Sequence, residues 1–148
     1  MDEALGIAEE LCKKFEGFRS KPYLCPAGIA TIGYGATYYA DGRLVSLADP
    51  PLSKEGAEDL LLFQLHTRFF PGVLRLCPIL ISHPSKLAAV ADFSFNLGLG
   101  RLQTSTLRGK LNSGDWPASR EQLMRWTRAQ GKILPGLVLR RKAEAALI

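Results

Sequence analysis

The hydrophobic period of this chain changes at two places, and those places constrain its architecture more than any other feature. From Asp2 to Glu16, Leu5, Ala8, Leu11, Cys12 and Phe15 recur at helical spacing, with Glu9, Glu10, Lys13 and Lys14 on the opposite side. Gly17 is placed to end that helix. The period then shortens: Tyr23–Cys25 and Ile29–Tyr34 are β-rich and separated by "PAG", a hairpin signal. "ADGR" at 40–43 is a second one, because Asp-Gly favours the tight primed turn. At "LADPPLS", Pro50 and Pro51 exclude a helix, and Ser53 is placed to cap the next one.

Beyond Ser53 the pattern predicts helices over about 53–68, 70–76, 84–97, 104–112, 117–129 and 136–147, divided by "SHPS", "NLGLG", "NSGDWP" and "GKILPG". Asp115 before Trp116-Pro117 reads as an N-cap with proline in the first turn, and Gly98 and Gly114 as helix ends. Strands and helices are therefore segregated, which defines an α+β fold. A small N-terminal lobe of helix plus β-hairpin (sheet about 18–47) faces a larger helical lobe (about 53–148, with the first helix). The whole of 1–148 is expected to form one domain, and a cleft between lobes is a common place for a site.

No apolar run approaches the ~18 residues of a membrane span, and the first fifteen residues carry acids where a signal peptide carries basic residues. The net charge of +5 is uneven: nine basic and eleven acidic residues through Gly100, then ten basic and three acidic from Arg101 onward. A basic half implies an anionic partner (nucleic acid, a membrane surface or an acidic polymer) or else a solvated helix face. Three cysteines, Cys12, Cys25 and Cys77, cannot form a complete disulfide framework, and their spacing matches no zinc pattern. Neither a metal nor a cofactor is expected, and Cys12 and Cys77 read as buried thiols.

Glu16 ends the first helix, where the dipole carries partial negative charge and favours a protonated carboxyl. Phe15 and Phe18 flank it and act in the same direction. A carboxylic acid that keeps its proton is what a general acid requires. The plainer alternative is a surface carboxylate at a helix end. Cys25 precedes the hairpin turn and Thr31 lies in the strand after it, so a thiol and a hydroxyl fold toward one space. Gly28, Gly33 and Gly35 leave room near the backbone.

Glu16, eight residues, Cys25, five residues, Thr31 and then "IGYG" together resemble the active-site segment of phage-type lysozymes, the endolysins of glycoside hydrolase family 24. The resemblance continues in "FSFNLGLGRLQTSTLRGKLNSGD" (93–115), "RWTRAQGKILPGL" (125–137) and "RRKAEAALI" (140–148), so it covers nearly the whole chain. It implies a lysozyme-like fold and hydrolysis of the β-1,4 bond between N-acetylmuramic acid and N-acetylglucosamine in peptidoglycan. By the same resemblance Glu16 protonates the leaving oxygen, and Thr31 helps hold the attacking water in an inverting reaction. Cys25 stands where the commonest family pattern has aspartate. Three roles are open to it: a thiolate base, a nucleophile forming a thioglycoside, or a group that only shapes the water site. The family's C-terminal arginine, which pairs with the catalytic glutamate, corresponds to Arg140 or Arg141. Tyr34 and Asn96 are the expected cleft-lining residues.

The resemblance further implies synthesis in a bacterial host's cytoplasm, action on periplasmic peptidoglycan, and a separate pore-forming lysis protein as partner. A monomer that binds no nucleic acid is expected, its basic half drawing it to anionic wall or outer-membrane polymers. A cysteine hydrolase would need His66 or His83 as base, and no motif ties either to Cys25. The other alternative is a degenerate lysozyme fold that binds wall without cutting it. Phe93, Phe95, Trp116 and Trp126 are read as core, and the last helix as a closing element burying Leu137, Leu139, Ala143 and Leu147.

Overall fold

A computed structural model describes residues 1–148. Helix α1 (Asp2–Glu16) buries Ala4, Ala8 and Cys12 on one stripe. Asp2 and Glu3 in its first turn and Lys13 and Lys14 in its last oppose the dipole at each end. It stops at Gly17, whose φ of 71° suits a residue without Cβ. That stop leaves Glu16 as the last helical residue.

Strands β1 (Arg19–Leu24) and β2 (Ala30–Gly33) pair antiparallel, with Tyr23 opposite Thr31 and Leu24 opposite Ala30. The ladder is irregular between Arg19 and Tyr23. Pro22 lies inside that gap, and a proline has no N–H to give to a ladder. A turn closed by Gly28 N–H to Cys25 O (2.8 Å) joins the strands. A turn forms at Asp41-Gly42, but not the primed one expected: Gly42 has positive φ and Asp41 does not, Gly42 N–H donates to Tyr39 O (2.9 Å), and only one bridge, Tyr38 to Leu44, extends it. Side chains hold that loop instead: Tyr39 Oη and Arg43 Nη1 donate to the two oxygens of Asp49 (2.8 and 3.0 Å). Ile32, Ala36, Val45 and Leu60 make the small core of this lobe.

Ser53 caps α2 (Lys54–Gln64), its hydroxyl accepting from Gly56 N–H at 3.0 Å. The two helices expected over 53–68 and 70–76 are one continuous path. A π-helical turn (Leu65–Phe69) joins α2 to α3 (Phe70–Leu76). Pro71 is the physical reason: it cannot donate back to residue 67, and its ring crowds that carbonyl, so the preceding turn widens. A 3-10 turn (Pro78–Ser82) leads into α4 (Pro84–Leu97), the central helix, whose residues 88–94 are wholly buried. Packed around it are α1, α3 and the later helices in one large apolar cluster.

Helix α5 (Leu99–Gln103) forms where a boundary was expected. Then come α6 (Thr106–Asn112) and α7 (Trp116–Leu123), the latter capped by Asp115, which accepts from Ala118 N–H at 3.1 Å. The helix expected to reach 129 stops at Leu123. Beyond it, β3 (Arg128–Ala129) and β4 (Lys132–Ile133) form a second hairpin. Gln130 and Gly131 both have positive φ, 53° and 77°, which is the backbone of a primed hairpin turn.

The last element, α8 (Pro135–Ala145), is turned differently from its apolar pattern. Leu139 is 60% exposed, while Arg140, Arg141 and Glu144 face inward. Buried hydrogen-bond partners for these polar side chains outweigh the burial of one leucine. The expected apolar face of the last helix is corrected accordingly.

Candidate active site

The inward face of α8 meets the end of α1 and the middle of α4, and there the charged groups of the site converge. Arg140 uses three nitrogens. Its Nε and Nη2 donate to Asp92 Oδ2 and Oδ1 (2.9 and 2.8 Å), and Nη1 donates to Glu16 Oε1 (2.7 Å). Asp92 is wholly buried, and it also accepts from the Cys12 thiol at 3.2 Å. Although burial disfavours its charge, the Arg140 guanidinium holds the Asp92 carboxyl below the usual range. Burial, reinforced by the charge of Asp92, raises the Cys12 thiol well above its ordinary value, so it remains a donor.

Glu16 is the one acid of this cluster that reaches solvent, with 23% of its side chain exposed. Its second oxygen, Oε2, faces Gly35. A Cβ on Gly35 would lie 3.1 Å from that oxygen, and the φ of 80° there suits glycine alone. Phe15, Glu16, Asn96, Leu134, Gly136, Leu137 and Arg140 line a pocket of about 360 Å³. Through Asn96, Leu134 and Leu137 it continues into a groove of about 660 Å³ that reaches Trp126 and Gln130 on one side and Ala27 on the other. The β1–β2 turn and the β3–β4 turn thus stand on the same groove. Two further grooves lie elsewhere, one of about 720 Å³ between α1 and α8 and one of about 640 Å³ beside the sheet lobe, and neither receives the buried charge cluster.

Across the cleft, Cys25 is partly exposed at the end of β1. Backbone N–H groups, that of Ile29 foremost and Ala27 next, together with the Thr31 hydroxyl, pull its thiol below the ordinary range, against a smaller opposing effect of burial. Thr31 is buried and donates to Ile29 O at 2.9 Å. The hairpin therefore brings Cys25 and Thr31 together. Tyr23, opposite Thr31 in the sheet, lies in the electrostatic field of both Glu16 and Cys25. With burial as the larger cause, its hydroxyl is raised above its usual value.

The other expected site residues are placed less uniformly. Arg140, not Arg141, makes the Glu16 contact. Arg141 has no exposed surface and donates through Nη2 to Asn96 Oδ1 (2.9 Å) and Glu144 Oε1 (2.7 Å), so it cannot meet a ligand. Arg140 is only 4% exposed, and its donors are spent on Glu16 and Asp92 rather than on a substrate. Asn96 lines both parts of the cleft. Tyr34 does not: it is 4% exposed, in the main core, with its ring 5.7 Å from that of Phe18. Trp126 packs edge-on against Phe93 at 5.6 Å and still lines the groove. His66 is exposed on the π-turn and His83 packs edge-on against Trp116 at 5.1 Å, and neither lines the groove beside the β1–β2 turn. No three His, Cys, Asp or Glu side chains converge as a metal cage.

Asp92, Glu144 and Cys12 were not singled out from sequence as parts of the site. The one signal was Asp92 itself, a lone acid in the otherwise apolar stretch "LAAVADFSF", with Glu144 one helical turn from Arg140 and Arg141.

Lysozyme-like architecture with an acid at the end of the first helix defines the class of protein, and comparison with known proteins agrees. The family model described as phage lysozyme matches residues 13–144. The chain belongs to the phage lysozyme family, whose members are peptidoglycan hydrolases. It is 36% identical over 144 residues to an endolysin of Acyrthosiphon pisum secondary endosymbiont phage 1, covering 93% of this chain and 91% of that one. It is 35% identical over 139 residues to the endolysin of Bacillus phage B103, covering 93% of this chain but half of that relative's length. Among solved structures, an endolysin from Escherichia coli O157:H7 phage FAHEc1 superposes with a TM-score of 0.83 at 28% identity, covering 95% of this chain and 89% of that chain. A P22 lysozyme mutant superposes at 0.79 with 27% identity, covering 95% and 93%.

Proposed function

We propose that this chain is a muramidase that cleaves the β-1,4 bond between N-acetylmuramic acid and N-acetylglucosamine, with Glu16 as general acid. The observation that carries the reading is the setting of Glu16. One oxygen is fixed by Arg140 and the other stands free at the cleft. The free oxygen gives its proton to the departing glycosidic oxygen, and the Arg140 donor then stabilises the carboxylate that remains.

On the hairpin side, Cys25 acts as a thiolate that takes a proton from the attacking water, while Thr31 holds that water. Attack from the face opposite the leaving group inverts the anomeric carbon. Backbone N–H groups around the thiol supply the stabilisation that a thiolate needs. The natural substrate is peptidoglycan in the periplasm of the cell that makes the protein. No helix here is long and apolar enough to cross a membrane.

A thiol in place of the common aspartate also favours a second reading, a wall-binding lysozyme fold with little catalysis. Digestion of purified peptidoglycan separates the two. Soluble fragments with N-acetylmuramic acid at the new reducing ends, absent with Glu16→Gln, support the muramidase. Wall that sediments with the protein but stays uncut supports the binder. Fragments released by cleavage of peptide bonds would overturn both.

A further inference from the structure

Arg140 presents a chemical problem. A guanidinium 2.7 Å from a carboxylate favours the ionised form, and an ionised Glu16 cannot act as an acid. The geometry contains the remedy. Asp92 receives the Nε and Nη2 edge of Arg140 as a two-toothed fork, leaving only Nη1 for Glu16. Asp92 is wholly buried on the central helix, and the Cys12 thiol donates to it from α1. Nothing in the proposed chemistry uses it directly.

We infer that Asp92 is a positioning residue for the Glu16 acid: it aims the Arg140 guanidinium and cancels its charge, so that Glu16 meets a fixed hydrogen-bond donor within a neutral pair. The inference rests on the reading of Glu16 as the acid. A bidentate fork is planar and stiff, so the third nitrogen points at one place. A flexible arginine without that anchor would follow Glu16 and hold it as a carboxylate. With the anchor, the Nη1 donor is already in place for the anion that forms when the sugar oxygen takes the proton.

Every ionisable or charged group facing this cluster belongs to four elements. Cys12 and Glu16 come from α1, Tyr23 from β1, Asp92 from α4, and Arg140, Arg141 and Glu144 from α8. Glu144 faces Asp92, and burial first and Asp92 second keep its carboxyl protonated in neutral solution. Arg141 is tied to Glu144 and Asn96, away from Glu16. Arg140 is therefore the one cation in contact with Glu16, and Asp92 the one anion that balances it.

The test tracks the Glu16 carboxyl directly, by carbon NMR of protein labelled at the glutamate carboxyls, with the signal assigned by its loss in Glu16→Gln. In Asp92→Asn the pH at which that signal titrates should fall by about one unit. The alkaline limb of the wall-cleavage rate should move by the same amount. In the double variant Asp92→Asn/Arg140→Gln both charges are gone, and the signal should return to within a few tenths of wild type. An unmoved signal in Asp92→Asn overturns the inference.

If Asp92→Asn alone does not fold, the double variant, which buries no unpaired charge, decides the matter. Titration near wild type supports cancellation. A rise of about a unit or more shows that Arg140 acted uncancelled and overturns it. The NMR reading needs no substrate, so a protein that cuts no wall and a protein whose Glu16 ignores Asp92 are separate results.

Discussion

The two walls of the cleft are built on opposite plans. On the helical side, Glu16 is the outer end of a buried chain of charges contributed by three helices that are far apart in sequence: α1, α4 and α8. On the hairpin side, Cys25 and Thr31 lie six residues apart in one hairpin and depend on the backbone around them. The difference shows what each role requires. An acid needs its proton affinity set by its surroundings, and that takes burial and counter-charges. The proposed thiolate base and its water need only nearby backbone N–H groups and a hydroxyl, which a short hairpin supplies.

That contrast can be broken at its strongest point first. Arg140→Met leaves Asp92 buried without its partner and should cost about 3–5 kcal/mol of stability, read by urea denaturation. Arg43→Ala removes an exposed ion pair with Asp49 in the other lobe and should leave the urea midpoint nearly unchanged. Equal losses would mean that the two sides are not built differently.

A pH effect comes next. The folded state raises Glu144 from its ordinary 4.5 to about 9, chiefly through burial. The folded protein therefore binds this proton more tightly than the unfolded chain, so stability falls as pH rises from about 4.5 toward about 9. Asp92 is depressed and acts in the other direction: its contribution is present above its ordinary 3.8 and is lost as pH falls through the lowered value. Glu144→Gln should flatten the alkaline decline of the melting temperature and leave the acid decline in place. An unchanged alkaline slope would remove Glu144 from the buried network.

A stability effect smaller than that of Arg140→Met belongs to Gly35→Ala. Its left-handed backbone costs about 1–3 kcal/mol with a side chain, and the new Cβ crowds Glu16 Oε2. Cleavage should suffer more than the melting temperature does. A variant with a lowered melting temperature and full activity would show that Oε2 can move freely.

Much of the fold was legible from local chemistry. Gly17, Ser53 and Asp115 mark helix ends through hydrogen bonds and backbone angles that are set within a few residues. What escaped depends on contacts across the chain. The inward turn of α8 is decided by Asp92 and Glu16, 48 and 124 residues from Arg140, and no periodicity within the helix records that. The β3–β4 hairpin escaped for a smaller reason: Gln130 adopts a positive φ without being glycine or asparagine.

The site divides the same way. The hairpin spacing from Cys25 to Thr31 was visible in sequence, whereas Asp92 looked like an oddity of a core helix. Choosing Arg140 over Arg141 required three-dimensional placement, because adjacent helical residues point about 100° apart and only one can face the end of α1.

The most direct test of this asymmetry compares Glu16→Gln with Cys25→Ser by loss of turbidity of outer-membrane-permeabilised Gram-negative cells. Glu16→Gln should lower the rate by about 10²–10⁴, the usual worth of a positioned acid. Cys25→Ser should lose less, with a serine hydroxyl left to hold the water, and Cys25→Asp should recover most of that loss. Cys25→Ser that is as inactive as Glu16→Gln, or Glu16→Gln that still lyses cells at close to the wild-type rate, would contradict the account.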